Sequence, residues 1–160
     1  MEMKVSSSHS LRISLTDLRS GKAGLNKKRT NLLTRIPHSG DWLCTKKGEY
    51  EIADLAFLTA ATGHEFAILS GKREDIIFHG TERSCVFKDT VADLLKSHKF
   101  SLLAHSHPFE DYPVPSKDDR NVLKEIEQRE SKIISATTGI TITFTQNQFD
   151  ELGGGQDVEF

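Results

Sequence analysis

Phe100-Ser101-Leu102-Leu103-Ala104-His105-Ser106-His107-Pro108 is the stretch on which both fold and function turn. Its first five residues form a nearly continuous apolar run, the mark of a strand buried on both sides of its sheet. His105 and His107 follow with one residue between them, so at a strand end both rings point the same way and can bind one ion. A carboxylate on the next element supplies a third ligand, and Ser116 and Asp119 come soon after. Three protein ligands leave a tetrahedral zinc with one position open for water, which is the catalytic arrangement rather than the structural one.

Outward from this stretch the apolar pattern alternates between helix and strand periods. Upstream, Ile52 to Thr62 carries Leu55, Leu58 and Ala61 at helical spacing and stops at Gly63. Glu65 to Leu69 reads as a strand followed by the turn Ser70-Gly71-Lys72. Ile76 to Phe78 and Cys85 to Phe87 read as two more strands, and Val91, Leu94 and Leu95 mark a helix face. Downstream, Val122, Leu123 and Ile126 predict a helix, and Ile133-Ile134 a buried strand. Ile140, Ile142 and Phe144 alternate with Thr141 and Thr143, the pattern of a half-buried last strand. The expected fold class is α+β or α/β, with a single mixed central sheet flanked by helices.

The 160 residues suit one such domain. Residues 1–41 are rich in Ser, Lys, Arg and Gly and read as an extension or linker. Leu11, Ile13 and Leu15 offer one short strand there, and Leu25, Leu32, Leu33 and Ile36 a short amphipathic helix. The main domain is expected over 42–150, with Trp42 to Cys44 as its first strand, and a flexible Gly-rich tail over 151–160.

Composition narrows the function classes. The formal net charge of -2 gives no basic excess for nucleic acid or an anionic membrane, and no apolar run approaches a membrane span. The mostly polar start lacks the apolar core of a signal peptide, and two distant cysteines, Cys44 and Cys85, are too few for a disulfide framework. Free thiols and a cytoplasmic setting are expected, with a single Cys44–Cys85 disulfide as the alternative. A zinc in this chain is then held by nitrogen and oxygen, not by sulfur.

His-x-His, then Pro108, then Ser116-Lys117-Asp118-Asp119 resembles the JAMM motif of the JAB/MPN metalloprotease family. Gly63-His64-Glu65-Phe66-Ala67-Ile68-Leu69-Ser70-Gly71-Lys72 resembles the glutamate-bearing early strand of that family, and the likeness extends over about 50–149. It implies a JAB/MPN domain, a cytidine-deaminase-like sandwich, of prokaryotic or phage- and toxin-associated type. It implies zinc held by His105, His107 and Asp119, with Glu65 as general base and the Ser116 hydroxyl as a donor to the oxyanion. The activity implied is hydrolysis of a peptide or isopeptide bond by a zinc-activated water, on a protein or peptide substrate such as a ubiquitin-like or Gly-rich tail. The alternative is a catalytically inactive MPN-like binding or scaffold module. One departure stands out: eight residues, Pro108 to Pro115, separate His107 from Ser116, one more than the family usually has. A bulge is expected to absorb it. Asp118 in place of Asp119 is the second choice of ligand, because it breaks the three-residue relation to Ser116.

Each of these residues also has a plainer reading. Glu65 is a strand charge, Ser116 a helix N-cap and Asp119 a first-turn carboxylate. His64 falls on the opposite sheet face from Glu65 and reads as structural. His9, His38, His79 and His98 have no partners in sequence. Lys27-Lys28-Arg29 reads as a solvated face, and Glu110 and Asp111 as loop charges beside the site.

Overall fold

The computed structural model describes residues 24–147. They form a mixed α+β fold with one six-stranded mixed sheet and four helices. In chain order the elements are α1 (Lys27–Arg35), β1 (Trp42–Lys46), α2 (Ile52–Thr62), β2 (Phe66–Gly71), β3 (Glu74–His79), α3 (Asp89–Lys96), β4 (Phe100–His107), α4 (Lys117–Glu125), β5 (Glu130–Ser135) and β6 (Thr141–Thr145). The strand order is β1-β3-β2-β4-β5-β6. Only β4 and β5 pair in parallel, and α4 is the crossover between them.

The sheet has a core on each face. On one side Leu55, Ala56 and Leu58 of α2, with Leu32 and Ile36 at α1, cover Phe66, Ile68, Ile77, Ala104 and Ile134. On the other, Val91 and Leu95 of α3 and Leu123 of α4 cover Leu69, Ile76, Phe78, Ile133 and Phe144. Helix α2 ends at Gly63, whose φ of 77° is the left-handed conformation that glycine adopts without strain.

Helix α1 precedes the expected start of the main domain at 42, and Leu32 and Ile36 are nonetheless core residues. Its basic run is used in packing. Arg29 Nε donates to Asp54 Oδ1 at 2.8 Å and the guanidinium lies over the Phe57 ring, while Lys28 lies over Tyr50. The expected strand at Leu11 to Leu15 and the Gly-rich tail lie outside the described residues.

Three strand expectations differ from the structure. Cys85 to Phe87 is an irregular segment, because β3 is already paired by β1 and β2 and offers it no edge. Strand β4 is buried on both faces only in its second half; Ser101 and Leu103 are exposed. All five residues of β6 are buried, threonines included. Threonine's branched methyl fits a covered sheet face, so alternation of Thr with Ile and Phe does not report exposure.

A bulge in β4 decides where the histidines point. Ile68 pairs with Ala104 and Leu69 with Leu102, which leaves Leu103 as an extra residue. Leu102 therefore joins the core under α4 while Ala104 joins the core under α2. The strand alternates again beyond the bulge, so His105 and His107 face α4 and Ser106 faces α2. Ser106 Oγ lies 2.6 Å from Thr59 Oγ1 of α2, in agreement with that assignment.

Candidate metal centre

The site forms at the carboxyl end of β4, where the parallel pair opens toward the start of α4. Ala67 pairs with His105, and continuing that register by two residues sets Glu65 across from His107. Glu65 lies on the same face as Ala67, hence on the histidine face. Its backbone is tied at both ends: its N–H donates to Thr81 O at 2.8 Å, and its carbonyl accepts from Gly80 N at 2.7 Å. A Cβ at Gly80 would sit 2.9 Å from that carbonyl oxygen and 2.5 Å from Ser84 O, so glycine permits the close approach.

Asp119 arrives from the first turn of α4. Ser116 is the N-cap: its hydroxyl accepts from Asp119 N at 3.0 Å, and the Asp119 carboxylate accepts from Ser116 N at 2.9 Å. This capping box points the carboxylate back past the helix start. Asp119 Oδ1 lies 3.0 Å from His105 Nε2 and Oδ2 lies 3.2 Å from His107 Nε2, while the two Nε2 atoms are 3.2 Å apart. Ligand atoms of Glu65, His105 and His107 all lie within 4.8 Å of one another, and all three residues are buried. Four expected residues, Glu65, His105, His107 and Asp119, are thus gathered around one point. Ser116 is exposed and lines the adjoining cavity of about 160 Å³ with Glu65, His105 and Asp119. Asp118 is exposed, and Asp119 is the carboxylate that meets both rings.

The charges respond to this crowding. Burial alone would push His107 down, but the hydrogen bond and charge of Asp119, the hydrogen bond to Glu110 and the charge of Glu65 raise it to about 9. Burial would raise Asp119, yet His105 and His107 hold it far below the usual carboxylate range. Glu65 is raised, first by burial; the histidines oppose this and the Asp119 and Glu110 carboxylates add to it.

The donor set fits a small divalent cation. Zinc bound by imidazole or carboxylate at about 2.0–2.1 Å in a tetrahedron places its ligand atoms about 3.3 Å apart. The three contacts among His105, His107 and Asp119, at 3.0, 3.2 and 3.2 Å, are close to the edges of such a tetrahedron. Cys85 lines the same cavity, and burial, then the charges of Glu65 and Asp119, push its thiol well above its ordinary value. Cys85 is not among the residues whose ligand atoms converge at the site. Both cysteines are free.

Sequence reasoning missed two features. Glu110 reads from sequence as a loop charge beside the site, and its carboxylate accepts from His107 Nδ1 at 2.6 Å. His79 reads from sequence as a surface or satisfied residue with no identifiable partner; it is buried, with Nδ1 donating to Ile36 O at 2.7 Å and Nε2 2.8 Å from His64 Nδ1. The i, i+3 spacing from His107 was the available signal for Glu110. No local signal pairs His64 with His79, which meet only through the β2–β3 pairing. The structural reading of His64 agrees with this latch on the α2 face.

Comparison of the chain with protein-family models, curated proteins and solved structures gave no match.

Proposed function

We propose that this chain is a zinc-dependent hydrolase of the JAMM type, cleaving a peptide or isopeptide bond. The observation that carries the reading is the convergence of two imidazole Nε2 atoms and one carboxylate at 3.0–3.2 Å, with a buried glutamate on the same sheet face. His105, His107 and Asp119 would hold the ion and leave one tetrahedral position free. Zinc bound there supplies Lewis acidity and a nucleophilic water near neutral pH.

The chain's own groups supply the rest. Glu65 is buried beside the histidines with its backbone fixed at both ends, so its carboxylate is positioned to take a proton and return it to the leaving amine. The Ser116 hydroxyl already accepts from Asp119 N, and its own hydrogen is left to donate toward the cavity. One such donor to a developing oxyanion is worth about 3–4 kcal/mol of barrier. The small cavity shares Ser84, Cys85, Phe87, Asp118 and Val122 with a larger groove of about 730 Å³ beside α3 and α4. That groove is a route by which an extended peptide or a Gly-rich tail reaches Glu65.

The test is peptide and isopeptide cleavage profiling with wild type and Glu65→Gln. Loss of a general acid–base group typically costs about 10²–10⁴-fold in rate. The reading predicts that loss with zinc content unchanged. Equal cleavage by both proteins would remove Glu65 from the reaction.

A further inference from the structure

Glu110 is held more firmly than a solvated loop charge. Its Oε1 accepts from His107 Nδ1 at 2.6 Å and from Val114 N at 3.3 Å. Its main-chain carbonyl accepts from the Ser135 hydroxyl. Ser135 stands directly across from His107 in the β4–β5 register, and Ala136 N donates to His107 O at 2.9 Å. The Ser135 hydroxyl oxygen also accepts from Thr137 N and Thr138 N, each at 3.1 Å. Side chain and backbone of Glu110 are therefore both fixed against the strand pair that carries His107. The longer loop between His107 and Ser116 is also tied to the turn between β5 and β6, with Thr138 Oγ1 donating to Asp111 O at 2.6 Å.

We propose that Glu110 is a positioning residue of the metal centre, fixing the ring of His107 with hydrogen on Nδ1 so that Nε2 presents its lone pair beside His105 and Asp119. The inference rests on the metal reading of the site and deepens it. A neutral imidazole carries one N–H and one bare nitrogen, and an ionised carboxylate only accepts. In the neutral ring that a bound cation requires, the hydrogen between His107 and Glu110 thus belongs to Nδ1, which leaves Nε2 bare for the ion. Glu110 cannot ligate the same ion, because the His107 ring stands between its carboxylate and Nε2. A carboxylate behind a ligating imidazole fixes its tautomer and orientation, and losing one typically weakens metal affinity about 10–100-fold.

The test is zinc affinity of the full chain, by competition with a chelating dye, for wild type, Glu110→Ala, Glu110→Gln, Glu110→Asp and His107→Ala. Nitrogen-15 spectra of the His107 ring accompany it. Zinc-loaded wild type is expected to show a protected Nδ1–H signal, and Glu110→Ala to lose it and bind zinc about 10–100-fold more weakly. Glu110→Gln keeps shape and a neutral acceptor, and falls between; it carries the test if the alanine variant does not fold. Glu110→Asp recovers part of the alanine loss. Wild-type affinity and an unchanged ring signal in both Glu110→Ala and Glu110→Gln overturn the inference while leaving the metal site standing. Wild type that binds no zinc overturns the metal reading itself, and this inference with it.

Discussion

Leu102 and Ala104 of β4, two residues apart, pack into cores on opposite faces of the sheet. An unbroken strand would put them on the same face. The extra residue between them, Leu103, makes the difference and sets every side chain that follows. Were Leu103 to take a regular, paired place in the strand, His105 and His107 would point at α2, away from Asp119.

Deleting Leu103 should leave the histidines facing Asp119, because Leu102 and Ala104 already pair with the adjacent Leu69 and Ile68 and would then alternate regularly. Inserting one residue between Ala104 and His105 should instead turn both histidines toward α2. The expected result is zinc retained on gel filtration by the deletion variant and lost by the insertion variant. Leu103→Ala keeps the extra residue, and the side chain is already 37% exposed. That variant should retain zinc and lie within about 0.5 kcal/mol of wild type. Zinc retention by the insertion variant equal to wild type would show that strand alternation does not aim the site.

Metal uptake should be linked to pH through His107. In the metal-free protein its value is raised from 6.5 to about 9, so the ring is protonated at neutral pH and a cation must displace that proton. Apparent zinc affinity is expected to rise by up to about tenfold per pH unit and to level off near pH 9. The metal-free protein runs the other way. The contribution of His107 to its stability is fully present below about 6.5 and is lost as pH rises through about 9. Asp119 is lowered from 3.8, so its contribution holds above that value and is lost only in stronger acid. Isothermal calorimetry in buffers of different ionisation heat counts the released proton; no release at pH 7 would contradict the assignment.

Phe144 supports the site from beneath. It is fully buried, and its ring meets that of His105 edge-on with centroids 5.9 Å apart. Phe144→Ala should cost about 3–5 kcal/mol in urea unfolding of the metal-free chain. It should also weaken zinc binding, because one wall of the His105 rotamer is removed. A cost below about 1 kcal/mol would mean that the core there collapses around the gap.

The sequence made much of this readable, and the limits have physical causes. Gly63 marked the end of α2, and the helical spacing of Leu55 and Leu58 marked its buried face. The spacings His105 to His107 and Ser116 to Asp119 carried the local geometry of the centre, because strand and helix periods fix which side chains share a face. What stayed hidden depends on contacts between distant segments. The bulge at Leu103 exists only against Ile68 and Leu69 of β2. The irregular path of Cys85 to Phe87 follows from β3 having no free edge. The packing of Arg29 onto Asp54, and of His64 onto His79, joins residues that have no periodic relation along the chain.

The most direct measurement is metal content of purified protein by elemental analysis, wild type against His107→Ala, after dialysis without chelator. One zinc per chain in wild type, absent from the variant, is the predicted result. Wild type free of zinc, or the same zinc content in both, would contradict a centre built on His105, His107 and Asp119.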